Sequence, residues 1–150
     1  MKDFVSTEIV VPSDLQVITA TEYKPIVDLM PKGKHLIIYH NAESCSLCNI
    51  NHIEDHISLY EFADTDDRFD IMEVFSPSIE DQSETEKALV LKKFPYPLYL
   101  DLFGSFRECN SHIPNDLRMN TFLVDSNGKI LFVGNPMGSD KLMELFLAAL

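Results

Sequence analysis

Cysteine is scarce in this chain, and basic residues are outnumbered by acidic ones. Three cysteines in 150 residues are too few, and odd in number, for a small fold stapled by disulfides. Twelve Lys and Arg stand against 24 Asp and Glu, a formal net charge of -12. That balance excludes the basic face that nucleic acids and anionic membranes require. No apolar run approaches the ~20 residues needed to span a bilayer. The opening residues, Met1-Lys2-Asp3-Phe4-Val5-Ser6-Thr7-Glu8, lack the apolar core of an export signal. Internal repeats, low-complexity stretches and linker-like shifts of composition are also missing. A single domain is therefore expected over residues 1–150, with residues 1–13 as an N-terminal strand extension. The hydrophobic content of 45% and charged content of 24% are those of an ordinary globular domain.

What is present alternates between strand and helix periods. Residues 4–11 are rich in β-branched side chains and stop at Pro12, as an edge strand does, and residues 15–20 form a second short strand. A helix capped by Thr19 or Thr21 is expected next. Tyr23, Ile26, Val27 and Met30 fall at its spacing, Pro25 lies in its first turn and Pro31 to Gly33 end it. Residues 36–39 are a continuous apolar run, as in a strand covered on both faces. Ile50, Ile53, Ile57 and Tyr60 then make one stripe of an amphipathic helix. Further on, strands are expected at 69–75 and 98–100, a helix from 83 or 84 to 93, and a brief helix at 103–109. Residues 120–125 and 130–133 flank Asn127-Gly128, the strongest short-range hairpin signal. Ser139 or Asp140 caps a last helix with Leu142, Leu145, Phe146 and Ala149 inward. This order implies an α/β fold, a three-layer α/β/α sandwich around a mixed central sheet.

The chemistry is concentrated at Cys45-Ser46-Leu47-Cys48, which follows the apolar strand and opens a helix. A C-x-x-C at a helix N-terminus places the first sulfur beside unpaired backbone N–H groups and the positive end of the helix dipole, which favour a thiolate. The second sulfur, one turn on, is close enough to close a disulfide. Cys45 is then the attacking thiolate and Cys48 the thiol that resolves the mixed disulfide. Glu43 opposes the activation slightly through its charge.

Residues 37–48 resemble the strand–loop–C-x-x-C–helix of the thioredoxin-like superfamily, with Ala42, Glu43 and both cysteines at matching positions. Residues 120–130 resemble the hairpin of bacterial envelope thiol–disulfide oxidoreductases in that superfamily. The resemblance implies a thioredoxin-like fold and exchange of disulfides with protein thiols and disulfides. It also implies electrons drawn from a partner oxidoreductase and no cofactor. The bacterial periplasm or cell envelope is the implied compartment if an export signal has been removed; otherwise the cytoplasm is expected. The residues implied to border the site are Glu43, Ser44, Ser46, Leu47, Met119 and Asn120. Several positions depart from the superfamily's pattern. Ser44 replaces an aromatic residue, Ser46-Leu47 replace Gly-Pro, and Tyr39 stands where thioredoxins bury an acid. Met119 stands where a cis-proline is usual, and a cis bond before a residue other than proline costs ~2.5–4 kcal/mol, so Arg118–Met119 is expected to be trans. Ala42 occupies the place of the threonine that peroxiredoxins carry ahead of their reactive cysteine.

Two other readings share these residues: a binding or scaffold protein that kept the fold without the activity, and a metal-handling protein using the same thiols. Cys45, Cys48, His52 and His56 carry a ligand-like spacing. However, eight residues of helix separate the sulfur of Cys48 from His56 by ~12 Å, too far for one tetrahedral site. The histidines are therefore expected on a solvated stripe, no metal ligands are assigned, and His40 is expected in a loop. Cys109, among Leu102, Phe103 and Phe106, is expected to be a buried bystander.

Overall fold

The computed structural model describes residues 8–19, 23–25, 33–113 and 120–150, with the backbone alone at 23–25. Its strands are β1 (Gln16–Ile18), β2 (Tyr23–Pro25), β3 (Lys34–His40), β4 (Phe69–Phe75), β5 (Leu98–Leu100), β6 (Thr121–Val124) and β7 (Ile130–Val133). They form one sheet in the order β2-β1-β5-β4-β3-β6-β7. The central strands β3, β4 and β5 run parallel, and each outer pairing is antiparallel, so the sheet is mixed. The helices are α1 (Ser46–Asn51), α2 (Ile57–Thr65), α3 (Gln82–Lys92), α4 (Ser105–Cys109) and α5 (Asp140–Ala149), with a 3-10 turn at Ile53–His56.

Alternation along the central strands divides the core. Leu36, Ile38, Ile71 and Phe75 pack on one face with Ile50, Ile53, Leu59, Leu89 and Phe146 from helices α1, α2, α3 and α5 and the 3-10 turn. Ile37, Tyr39, Met72 and Val74 pack on the other with Ile9, Leu15 and Phe106 of α4. Both faces of β3 are buried along its length, so the apolar run of 36–39 is explained by the layer on each side. The C-x-x-C therefore follows a central strand and sits at the end of the sheet where the parallel strands terminate.

The hairpin is built as its residues dictate. The Oδ1 of Asp125 accepts the N–H groups of Asn127 and Lys129 at 2.8 and 3.0 Å. Gly128 takes φ +84°, and a Cβ there would meet the Ile9 carbonyl oxygen at 2.1 Å. The Ile9 N–H donates to the Gly128 carbonyl at 2.8 Å, which ties residues 8–9 to this turn beside the bridge from Glu8 to Lys129.

Five expectations are corrected. Tyr23 to Pro25 is a strand and not the first turn of a helix: it pairs antiparallel with β1, and Pro25 is tolerated because the strand lies at the sheet edge. The rest of that expected helix, residues 26–32, lies outside the described residues, as do residues 4–7 of the expected first strand, and its residues 8–11 form no strand but a single bridge from Glu8 to Lys129. The stripe of Ile50, Ile53, Ile57 and Tyr60 is not one helix. The chain tightens at His52, whose N–H bonds the carbonyls of Cys48 and Ile50, and resumes as α2 from Ile57. Cys109 is exposed, because α4 turns Phe106 and Asn110 inward and Asn110 is held there by Val10. Leu145 of α5 faces outward at 46% exposure, while Phe146 fills the inward position.

Candidate active site

The loop ahead of the cysteines is organised by Asn41. Its Oδ1 accepts the N–H groups of Glu43 and Ser44 at 3.0 and 3.1 Å, and its carbonyl accepts the Ser44 hydroxyl at 2.8 Å. That turn delivers Cys45 to the N-cap of α1 in extended backbone, where its Sγ accepts the Cys48 N–H at 3.2 Å. A sulfur that receives a backbone N–H at a helix start is placed to carry negative charge. Cys45 and Cys48 are joined as a disulfide, Cα to Cα 5.2 Å, and both are exposed.

The other residues expected at the site fall around this pair unevenly. Glu43 is exposed, Ser44 and Asn49 face each other across the start of α1, and Leu47 is 40% exposed beside the disulfide. Ser46 is buried. Asn120 is buried at the end of the hairpin strand, where its carbonyl accepts the Tyr39 N–H at 2.7 Å. Met119 and the Arg118–Met119 bond lie outside the described residues. Tyr39 is buried against Phe106, with ring centroids 4.9 Å apart, and burial raises its phenol above the ordinary value of 10.0.

Beneath α1 lies a polar cluster that pattern reading did not find. Glu73 of β4 is fully buried on the sheet face that the C-x-x-C helix covers. The His40 Nε2 meets one of its oxygens at 2.6 Å, the His56 Nδ1 meets the carboxylate at 3.2 Å, and the Tyr60 hydroxyl donates at 3.0 Å. Two expectations about histidines are thereby corrected. His40 ends a strand and stacks on Phe75 at 4.4 Å, so it is not a loop residue. His56 is turned inward by the 3-10 segment to reach Glu73, so it leaves the solvated stripe, while His52 remains exposed. That inward turn also removes His56 from any arrangement with the cysteines. The signal available in the sequence was an acid flanked by Met72 and Val74 within the apolar part of the strand, whereas the strand's other acid, Asp70, is exposed near its start.

Burial by itself pushes the Glu73 carboxyl up. The hydrogen bonds and charge of His40 and His56 outweigh it and bring the group from 4.5 down to about 2. The hydrogen bond to Glu73 raises His56 above 6.5 against the opposing effect of burial. Tyr60 is held far above its ordinary value by burial and then by the Glu73 charge. The Glu73 contribution to stability is complete above pH 4.5 and is lost as pH falls toward about 2. The His56 contribution is complete below pH 6.5 and is lost as pH rises through its raised value. The stability difference between wild type and Glu73→Gln, from urea unfolding at a series of pH values, is thus expected to be largest between about pH 4.5 and 6.5. A difference independent of pH would show that the cluster carries no charge.

With this geometry in hand, the fold is thioredoxin-like. An exposed lipoprotein thioredoxin of Streptococcus pneumoniae superposes with a TM-score of 0.55 at 16% identity, over 90% of this chain and 98% of that one. The thioredoxin domain of a thiol-disulfide oxidoreductase from Bacteroides vulgatus gives 0.54 at 20% identity, over 95% of this chain and 96% of that one. A mitochondrial 2-Cys peroxiredoxin of Plasmodium falciparum gives 0.52 at 12%, over 95% and 92%. No family model matches the chain, and no curated protein matches it in sequence. No helix among the described residues is long and apolar enough to cross a membrane.

Proposed function

We propose that the protein exchanges thiols and disulfides with protein substrates through Cys45 and Cys48, with electrons supplied or removed by a partner oxidoreductase. The observation that carries this reading is an exposed, closed disulfide at the start of the helix that follows a central strand. Cys45 attacks as the thiolate, because its Sγ accepts a backbone N–H at the N-cap. Cys48 then displaces the substrate and closes the disulfide again. The similar folds of a thioredoxin domain and a lipoprotein thioredoxin support the reading.

A redox titration of the pair tests it. The expected result is one two-electron transition, with a tenfold change in equilibrium constant for each ~30 mV, together with reduction of insulin disulfides by the reduced protein. A pair that stays oxidised throughout, with no insulin reduction, would favour the non-catalytic binding protein. Zinc or copper in stoichiometric amount after reducing purification would favour metal handling.

A further inference from the structure

Exposed apolar side chains scattered singly need no explanation on a protein surface, whereas several gathered at one place do. Strands β3, β4 and β5 run parallel and are neighbours in the sheet, so the segments that follow them leave from one end. Their ends are level. The Ser76 N–H donates to the His40 carbonyl at 2.9 Å, and the Asp101 N–H to the Phe75 carbonyl at 2.8 Å. Each segment then turns a large apolar side chain outward: Leu47 after β3, 40% exposed, Ile79 after β4, 81%, and Phe103 after β5, 65%. The last two stand on anchored turns. Ile79 opens the 3-10 turn Ile79–Asp81, which is closed by the Asp81 N–H on the Ser78 carbonyl at 3.0 Å. Phe103 lies in a turn closed by the Gly104 N–H on the Asp101 carbonyl at 3.3 Å. The Gln82 Nε2 donates to the Leu102 carbonyl at 2.7 Å and ties the two turns together. Adjacent strands lie ~4.8 Å apart, so β3 and β5 are ~10 Å apart and a short extended segment reaches across all three. The charge here is one-sided. Glu43, Glu80, Asp81, Glu84 and Glu108 are exposed on residues 41–51, 76–84 and 101–108, where Arg107 is the one cation among the described residues.

We propose that Leu47, Ile79 and Phe103 form a docking surface for an extended segment of a protein substrate, one with apolar side chains next to its cysteine and basic residues further out. The inference rests on the exchange reading above and names a substrate class for it. Apolar side chains beside a cysteine are buried in a folded protein and open in an unfolded one, so the surface selects disulfides of unfolded chains. The acids around it favour a basic segment over an acidic one. The reaction balances without another reagent. The Cys45 thiolate attacks one substrate sulfur, the S–S bond breaks, and the other sulfur leaves as a thiolate and takes up a proton. The Cys48 thiol loses its proton and attacks the Cys45 sulfur, releasing the second substrate thiol and leaving the Cys45–Cys48 disulfide. Two electrons pass from the dithiol to the substrate.

The test follows oxidation of the reduced full-length chain by disulfide-linked dimers of three short cysteine peptides. The first has leucine and phenylalanine beside the cysteine and a lysine at each end. The second replaces the apolar pair by serine and glutamine, and the third replaces both lysines by glutamate. Each rate is divided by that peptide's rate with dithiothreitol, which removes differences in intrinsic reactivity. The apolar lysine peptide is expected to exceed the polar one by roughly tenfold, and to exceed the glutamate peptide. Ile79→Ser and Phe103→Ser change exposed side chains, so the fold and the rate with the polar peptide should stay as in wild type. The apolar-to-polar ratio should fall by about threefold or more in each. Leu91→Ser, equally exposed but at the far end of α3, should leave the ratio in place. A wild-type ratio below about twofold, an equal fall in Leu91→Ser, or a faster glutamate peptide overturns the docking surface and leaves thiol exchange standing. No reaction with any peptide overturns the exchange reading, and the docking surface falls with it.

Discussion

Cys45→Ser is expected to abolish disulfide reduction, lowering the rate by at least about a thousandfold, because the variant has no thiolate at the helix start. Cys48→Ser is expected to behave differently. Its Cys45 still attacks, but no second thiol displaces the substrate, so a mixed disulfide accumulates and turnover stops after one event. The asymmetry follows from the hydrogen bond between the Cys48 N–H and the Cys45 Sγ. That donor belongs to the backbone of residue 48 and survives replacement of its side chain, so the Cys48→Ser variant keeps the group that stabilises the attacking sulfur. Mass spectrometry of each variant after incubation with a disulfide substrate, under non-reducing conditions, reads the difference directly. A stable adduct on Cys45→Ser and none on Cys48→Ser would reverse the assignment of nucleophile and resolving thiol.

The second large effect is structural. Glu73→Leu is expected to lower the free energy of unfolding by about 3–5 kcal/mol, the range found when one partner of a buried charged network is removed. Leucine fills comparable space but accepts nothing. His40 Nε2, His56 Nδ1 and the Tyr60 hydroxyl would then all lose their acceptor in the interior. Those three groups come from β3, from the 3-10 turn and from α2. The variant is therefore expected to loosen the segment between α1 and α2 before the rest of the fold. Urea unfolding at pH 6 gives the total, and hydrogen exchange at residues 52–60 gives the local effect. A loss below about 1 kcal/mol would mean that the network is no better than its apolar replacement.

Glu73 also shows where pattern reading stops. An apolar run located β3, Asn127-Gly128 located the hairpin and helical spacing located the last helix, because burial and turn chemistry are written in local order. The C-x-x-C was legible for a related reason: its spacing and its place after an apolar strand are local facts. The partners of Glu73 are not local. His40 is 33 residues away and His56 is 17 residues away, and they meet only because β3 pairs with β4 and the chain tightens at His52. Likewise, Tyr23 to Pro25 follows its pairing with β1 in place of the helical spacing of its side chains. Cys109 faces outward because Asn110 bonds to Val10, a contact 100 residues away in sequence.

The amino-acid sequence by itself determined the class of fold and the dithiol, since both are written in short-range order: strand, loop, two cysteines, helix, and a hairpin with Asn127-Gly128 at its tip. Tertiary structure alone decided what surrounds them. It placed a carboxylate and two histidines under the helix. The physical reason is that hydrogen bonds and charges act across a few ångströms of space whatever the separation along the chain, and only the packed sheet brings those groups within reach.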